Sequence, residues 1–134
     1  MTHILLAYDG TEPAKHALET TAEMAKAFGA RVSVLSVVPT RTTGRSPVDL
    51  WDDKGVHDQE LLEAKSLLAA HGLTVKLIET AGDPAHDIER VAKDGQYDTI
   101  VMGSRGLGAA SRFLQGSVSA HVSAHAHSTV IVVH

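Results

Sequence analysis

Five short apolar runs alternate with four helical patterns along this chain, and no other feature limits its fold as strongly. The runs are residues 4–8, 31–38, 73–80, 99–102 and 129–133. The first, Ile4-Leu-Leu-Ala-Tyr8, is apolar without alternation, the pattern of a strand buried on both faces as in a parallel sheet. The second is rich in β-branched residues, and the third places Val75, Leu77 and Leu73 on one face. Between the runs, Thr11 can cap a helix with Pro13 in its first turn, Ala14, Leu18, Ala22, Ala25 and Phe28 as its apolar stripe, and Gly29 as its stop. A second helical pattern starts near Leu50 and Trp51, runs through Leu61, Leu62, Ala64, Leu67 and Leu68, and ends at His71-Gly72. Asp83-Pro84 opens a third, with Ile88, Val91 and Ala92 before Gly95. Phe113, Leu114, Val118 and Val122 have helical spacing before the last run. Strict alternation predicts one α/β domain over all 134 residues, an open five-stranded parallel sheet with right-handed crossovers and helices on both faces.

In such sheets ligands bind beyond the carboxyl ends of the strands, where strand order reverses. If the halves wind apart from the first strand, the fourth is its neighbour. The lip of the crevice then holds Asp9-Gly10, Val37-Val38 and Met102-Gly103, and the aperiodic loop 39–50 leaves from the same edge. Gly103-Ser104-Arg105-Gly106, with Gly116-Ser117 beyond it, follows the fourth run. Glycines let the backbone approach a ligand closely, and amides in such a turn make an anion cradle. Ser117 suits an N-cap or a hydroxyl offered to phosphate. On shape alone an equal reading stands, in which Gly106 only makes a turn and Gly116 only kinks a helix. The Walker pattern and an early GxGxxG are both absent. Asp9 suits a magnesium-bound water, a ribose, or the cap of the turn into the first helix. Arg105 reads equally as a phosphate clamp or a solvated side chain, and Arg41 and Arg45 as solvated loop charges.

The chain has no cysteine, which removes disulfides, thiolate catalysis and cysteine-ligated metals. Its net charge of −4 argues against a nucleic-acid partner, which needs a basic stripe. No secretory signal or membrane-length apolar run is visible, so a cytoplasmic domain without membrane contact is expected. His121 and His125 stand at i, i+4, a spacing that can chelate a transition metal. No acid lies in their segment and no HExxH accompanies them, so they read as a solvated or packed pair and no metal site is assigned. No GxSxG elbow, kinase signature or base–nucleophile pair is present, and no catalytic residue is named.

Gly103-x2-Gly106-x9-Gly116-Ser117 resembles the nucleotide-binding signature of the universal stress protein family. Agreement extends over most of the chain, through residues 4–10, Gly82-Asp-Pro84, residues 97–106 and Val130-Ile-Val-Val133. The resemblance implies a Rossmann-like sheet of order 3-2-1-4-5, a homodimer formed through the last strand, and ATP as ligand, with Mg2+ or Mn2+. It implies that Ala7, Tyr8, Asp9 and Gly10 border the nucleotide, with Asp9 near ribose or phosphates. Val37 would meet adenine through its backbone, with Val38 beside it, and Met102 would line the pocket. Gly103, Ser104, Arg105 and Gly106 would cradle phosphates, and Gly116, Ser117 and Val118 would complete the site. Where many members have Cys-Pro before the last strand, this chain has Ser128-Thr129. The resulting expectation is a nucleotide-responsive signalling module. A slow ATPase or self-phosphorylating enzyme is one alternative; a partner-binding protein with another nucleotide, such as a cyclic one, or with none is the other.

Overall fold

The computed structural model describes residues 1–39, 54–104 and 117–134. The elements are β1 (His3–Ala7), α1 (Glu12–Phe28), β2 (Arg31–Pro39), α2 (Lys54–Ala69), β3 (Val75–Gly82), α3 (Pro84–Asp94), β4 (Thr99–Gly103), α4 (Ser117–His125) and β5 (Thr129–Val133). The five strands form one parallel sheet in the order β3-β2-β1-β4-β5, as the resemblance implied.

Alternation along each strand divides the core into two layers. Ile4, Leu6 and Tyr8, with Val32, Val34 and Val101, face α1 and α2. Leu5 and Ala7, with Leu35, Val37, Ile100 and Met102, face α3 and α4. Both faces of β1 are therefore covered, and Ile4, Leu5 and Leu6 are fully buried. Each contributes about 1.5–3 kcal/mol by leaving water, which is why the run carries no polar residue.

The caps behave as their residue types dictate. The Thr11 side chain accepts a hydrogen bond from the Ala14 amide, and Gly29 closes α1 at φ +65° with its N–H on the Ala25 carbonyl. Asp83 accepts from the His86 amide at the start of α3. At the amino-terminal edge, Asp98 accepts from the amide and hydroxyl of Thr2, both at 2.8 Å, and from the His3 amide at 3.2 Å.

Several details depart from the sequence reading. Phe28 is 62% exposed, because the α1 stripe ends at Ala25 and the last residue before Gly29 turns off the core face. In α2 the buried set is His57, Leu61, Ala64 and Leu68, while Leu62 and Leu67 lie outside it and are exposed. Pro39 belongs to β2 rather than to the following loop, and β3 extends to Gly82 because it pairs with β2 to the end, Pro39 opposite Gly82. Residues 40–53, Phe113 and Leu114 lie outside the described residues, so the loop 40–50 and the start of the second helical pattern do too.

Candidate functional site

The carboxyl ends of β1, β2 and β4 meet at one edge of the sheet. Ala7 pairs with Leu35 on one side and Met102 on the other, and the Tyr8 amide donates to the Leu35 carbonyl at 3.0 Å. There β1 ends. In a parallel ladder, residues two apart turn their backbone groups to the same side, so Val37 presents its N–H and C=O to the side β1 has vacated. Val38 turns the other way, opposite Ala81 of β3. Ala7, Val37, Met102 and Val118 share one apolar cluster on the α3–α4 face, which brings α4 beneath this edge.

Gly103 ends β4 against the first turn of α1. A Cβ there would stand 2.8 Å from the Pro13 carbonyl carbon and 2.9 Å from the Ala14 nitrogen, both backbone atoms. Packing alone therefore requires this glycine. Ser104 follows, its amide donating to the Val133 carbonyl at 2.7 Å and its own carbonyl accepting from the Ser119 hydroxyl at 3.2 Å. Ser119 thus ties α4 to the end of β4, a contact that no sequence motif marks. Ser117 opens α4, whereas Arg105, Gly106 and Gly116 lie outside the described residues.

On the opposite face, Tyr8 and Asp9 join a polar cluster supplied by α2. The buried Tyr8 hydroxyl donates to Glu63, so its side chain turns away from the α3–α4 layer. Burial first, and then the Glu63 hydrogen bond and charge, push the phenol well above its usual range. One oxygen of Asp9, Oδ1, accepts from the Thr11 amide at 3.1 Å and hydroxyl at 2.7 Å, fixing the turn into α1. The other, Oδ2, is buried without a partner. Burial raises the Asp9 carboxyl despite the Thr11 hydrogen bonds and the His57 charge. Gly10 has φ +78°, and the Glu60 carboxylate lies 3.0 Å from where its Cβ would stand. Burial, then Asp9 and Glu63, raise Glu60 from 4.5 to about 8. His57, also buried, holds Ser36 Oγ at 2.8 Å through Nδ1 and approaches Glu60 at 3.5 Å. Sequence reading missed Ser36, His57, Glu60 and Glu63. Only the polar Ser36 and His57 at core-facing positions could have signalled them.

The histidine pair of α4 has a neighbour from another helix. His121 and His125 lack an acid in their own segment, but Glu89 of α3 lies 2.8 Å from His121 Nδ1. Among the described residues no helix is long and apolar enough to cross a membrane.

Comparison with known proteins agrees with the architecture. A universal stress protein of Staphylococcus epidermidis is 33% identical over 140 residues, covering 98% of this chain and 82% of the relative. The structure of universal stress protein UspA from Lactobacillus plantarum superposes with a TM-score of 0.80 at 27% identity, over 99% of this chain and 97% of that one. A universal stress protein from Archaeoglobus fulgidus, solved in complex with dAMP, gives a TM-score of 0.74 at 26% identity over 100% of this chain and 98% of that one. The family model of the universal stress proteins matches residues 1–134. With the sheet order, the glycine-bearing end of β4 and these matches together, the chain belongs to the universal stress protein family.

Proposed function

We propose that this chain binds an adenine nucleotide, ATP with Mg2+, at the carboxyl edge between β1 and β4, and acts as a nucleotide-responsive homodimeric module of stress signalling. The observation that carries this reading is the early end of β1: past Tyr8, the backbone of Val37 turns toward a side that no β1 residue occupies, next to Met102 and Gly103. A purine edge needs one donor and one acceptor side by side, which a strand backbone supplies. The dAMP complex of the Archaeoglobus relative supports an adenine nucleotide as the ligand class. In this reading Gly103, Ser104, Arg105 and Gly106 cradle phosphates, Gly116, Ser117 and Val118 complete the site, and Ala7, Tyr8, Asp9, Gly10 and Val38 form its rim.

The residues present fit a hard cation beside phosphate. Asp9 Oδ2 is a buried carboxylate oxygen without a partner, and Mg2+ is commonly held by one or two carboxylates together with phosphates and water. Asp9 would hold it, and the ion would offset phosphate charge.

Dimerisation through β5 has its own support. The other edge strand, β3, carries Lys76 and Glu79, which guard against pairing, whereas β5 reads Thr-Val-Ile-Val-Val with no charge. Thr129 and Val133 direct their backbone groups toward β4, so Val130 and Val132 turn theirs to the open edge. A switch requires the nucleotide to bind two states of the module unequally.

Thermal melts with and without Mg-ATP, together with mass analysis of small molecules released from freshly purified protein, test the reading. Mg-ATP at a hundred times its dissociation constant should stabilise the fold by about 2.7 kcal/mol. Asp9→Asn should reduce that gain. Protein recovered free of adenine nucleotide, and a melting curve that Mg-ATP does not move, would sink it. Competition among ATP, AMP and cyclic nucleotides separates ATP from its alternatives.

A further inference from the structure

We propose that Glu89, His121 and His125 form a binding site for a divalent first-row transition metal, zinc foremost, which clasps α3 to α4. Three observations converge on it. One potential ligand atom from each residue lies within 4.8 Å of the others, the only such grouping among the described residues. Zinc bound at about 2.0–2.2 Å to each of three ligands needs them roughly 3.4 Å apart. Half-exposed side chains can close that difference by rotation. The site is also open to solvent, since Glu89 and His125, with His86, line a groove of about 370 Å³. That groove gives an ion a path in and leaves room for water at the remaining position.

The second observation concerns which nitrogen is free. His125 Nδ1 lies 2.9 Å from the His121 carbonyl. A carbonyl can only accept, so Nδ1 carries a proton and, in the neutral ring, Nε2 keeps its lone pair. Histidine ligands are commonly oriented in this way, through a hydrogen bond from the nitrogen that does not bind the metal. The third is the carboxylate. Glu89 Oε2 lies 2.8 Å from His121 Nδ1, joining an acid on α3 to an imidazole on α4 before any ion arrives. An ion that takes the place of this hydrogen bond displaces the Nδ1 proton to solvent, and the ring regains one at Nε2. Arg90 does not compete for Glu89, because its guanidinium is turned to Asp87 at 3.7 Å.

Two imidazoles and one carboxylate, with no thiolate, suit zinc, nickel or copper better than magnesium or calcium. The stacking of the His121 and His125 rings, with centroids 4.2 Å apart, is not imposed by burial, since His125 is exposed. The site stands apart from the proposed nucleotide site, and its test does not depend on that reading.

The test is zinc titration of the untagged full chain by calorimetry in a non-coordinating buffer, with cobalt(II) absorption as a spectroscopic probe. The wild type should bind one zinc per chain, show visible bands of ligand-bound cobalt, and melt at a higher temperature with zinc. Glu89→Ala, His121→Ala and His125→Ala should each weaken zinc binding at least tenfold and abolish the zinc-induced rise in melting temperature. Circular dichroism should show the wild-type fold in each. His71→Ala is the control, because His71 pairs with a single carboxylate, Glu19, at 2.9 Å, and it should leave zinc affinity unchanged. Absence of stoichiometric zinc binding would overturn the proposal. So would binding that survives Glu89→Ala and His125→Ala, or that falls equally with His71→Ala.

Discussion

Glu60→Gln removes a half-buried acid that the fold holds protonated above its ordinary range. The Glu60 side chain is 21% exposed and faces Asp9 and Glu63, and its carboxyl is raised from 4.5 to about 8, by burial first and by those two charges next. Between these values the folded chain keeps a proton that the unfolded chain has already released. Stability must then fall as pH rises through that window, by up to about 1.4 kcal/mol per pH unit and, since solvent reaching this half-buried group screens part of the effect, by about 2–3 kcal/mol in all. That is a large share of the roughly 5–15 kcal/mol that holds a domain together. Glutamine keeps the shape and has no proton to lose, so the variant should lack this decline. Urea unfolding at intervals from pH 5 to pH 8.5 measures it, with the slope of each transition checked for constancy. The two proteins should be close in stability at pH 5, and the variant should be more stable by about 2–3 kcal/mol at pH 8.5. Parallel stability curves over that range would refute the argument, because they would mean that Glu60 ionises in the fold as it does in the open chain.

Three other substitutions probe separate parts of the structure. Asp98→Ala removes the acceptor for Thr2 and His3, and should cost about 1 kcal/mol near neutral pH after allowance for solvent screening. Burial opposes ionisation of Asp98, but hydrogen bonds from Thr2, Thr99 and His3 outweigh it and hold the carboxyl well below its usual range. Its contribution is therefore present above the ordinary carboxylate range and lost in strong acid, where urea midpoints of the two proteins should converge. Gly103→Ala drives a methyl to within 2.9 Å of the α1 backbone and should cost about 1–3 kcal/mol in urea unfolding; a neutral result would show that β4 and α1 can part easily. Val132→Pro deletes an N–H on the open side of β5 while sparing those that face β4. It should yield a folded monomer by light scattering if the dimer forms there, and a dimer that persists would place the contact elsewhere.

Much of the fold was legible because parallel strands are buried on both faces and helices are capped locally. The unbroken run from Ile4, the Thr11-x-Pro13 start of α1 and the Asp83-Pro84 start of α3 each encode their element within a few residues. Phe28 and Leu62 misled because an apolar residue near a stripe is not necessarily on it. The meetings between elements were not legible. Tyr8 finds Glu63 55 residues away, Ser36 finds His57 at a separation of 21, and His121 finds Glu89 at 32. No local period carries such pairings, since they follow from which helix lies over which strand. At the candidate site the sequence identified the strand ends, while the α2 side of the cluster and the Ser119–Ser104 tie emerged only from the packing.

The close approach of β4 to α1 bears on how such signatures are interpreted in other chains. Gly103 is the first glycine of a motif associated with a ligand, yet the backbone of Pro13 and Ala14 would reject a side chain there with no ligand present. A chain of this fold that bound no nucleotide would keep that glycine for as long as α1 began where it does. Presence of the first glycine is therefore a poor witness to binding. Discrimination between binders and non-binders must come from positions that packing leaves free to drift.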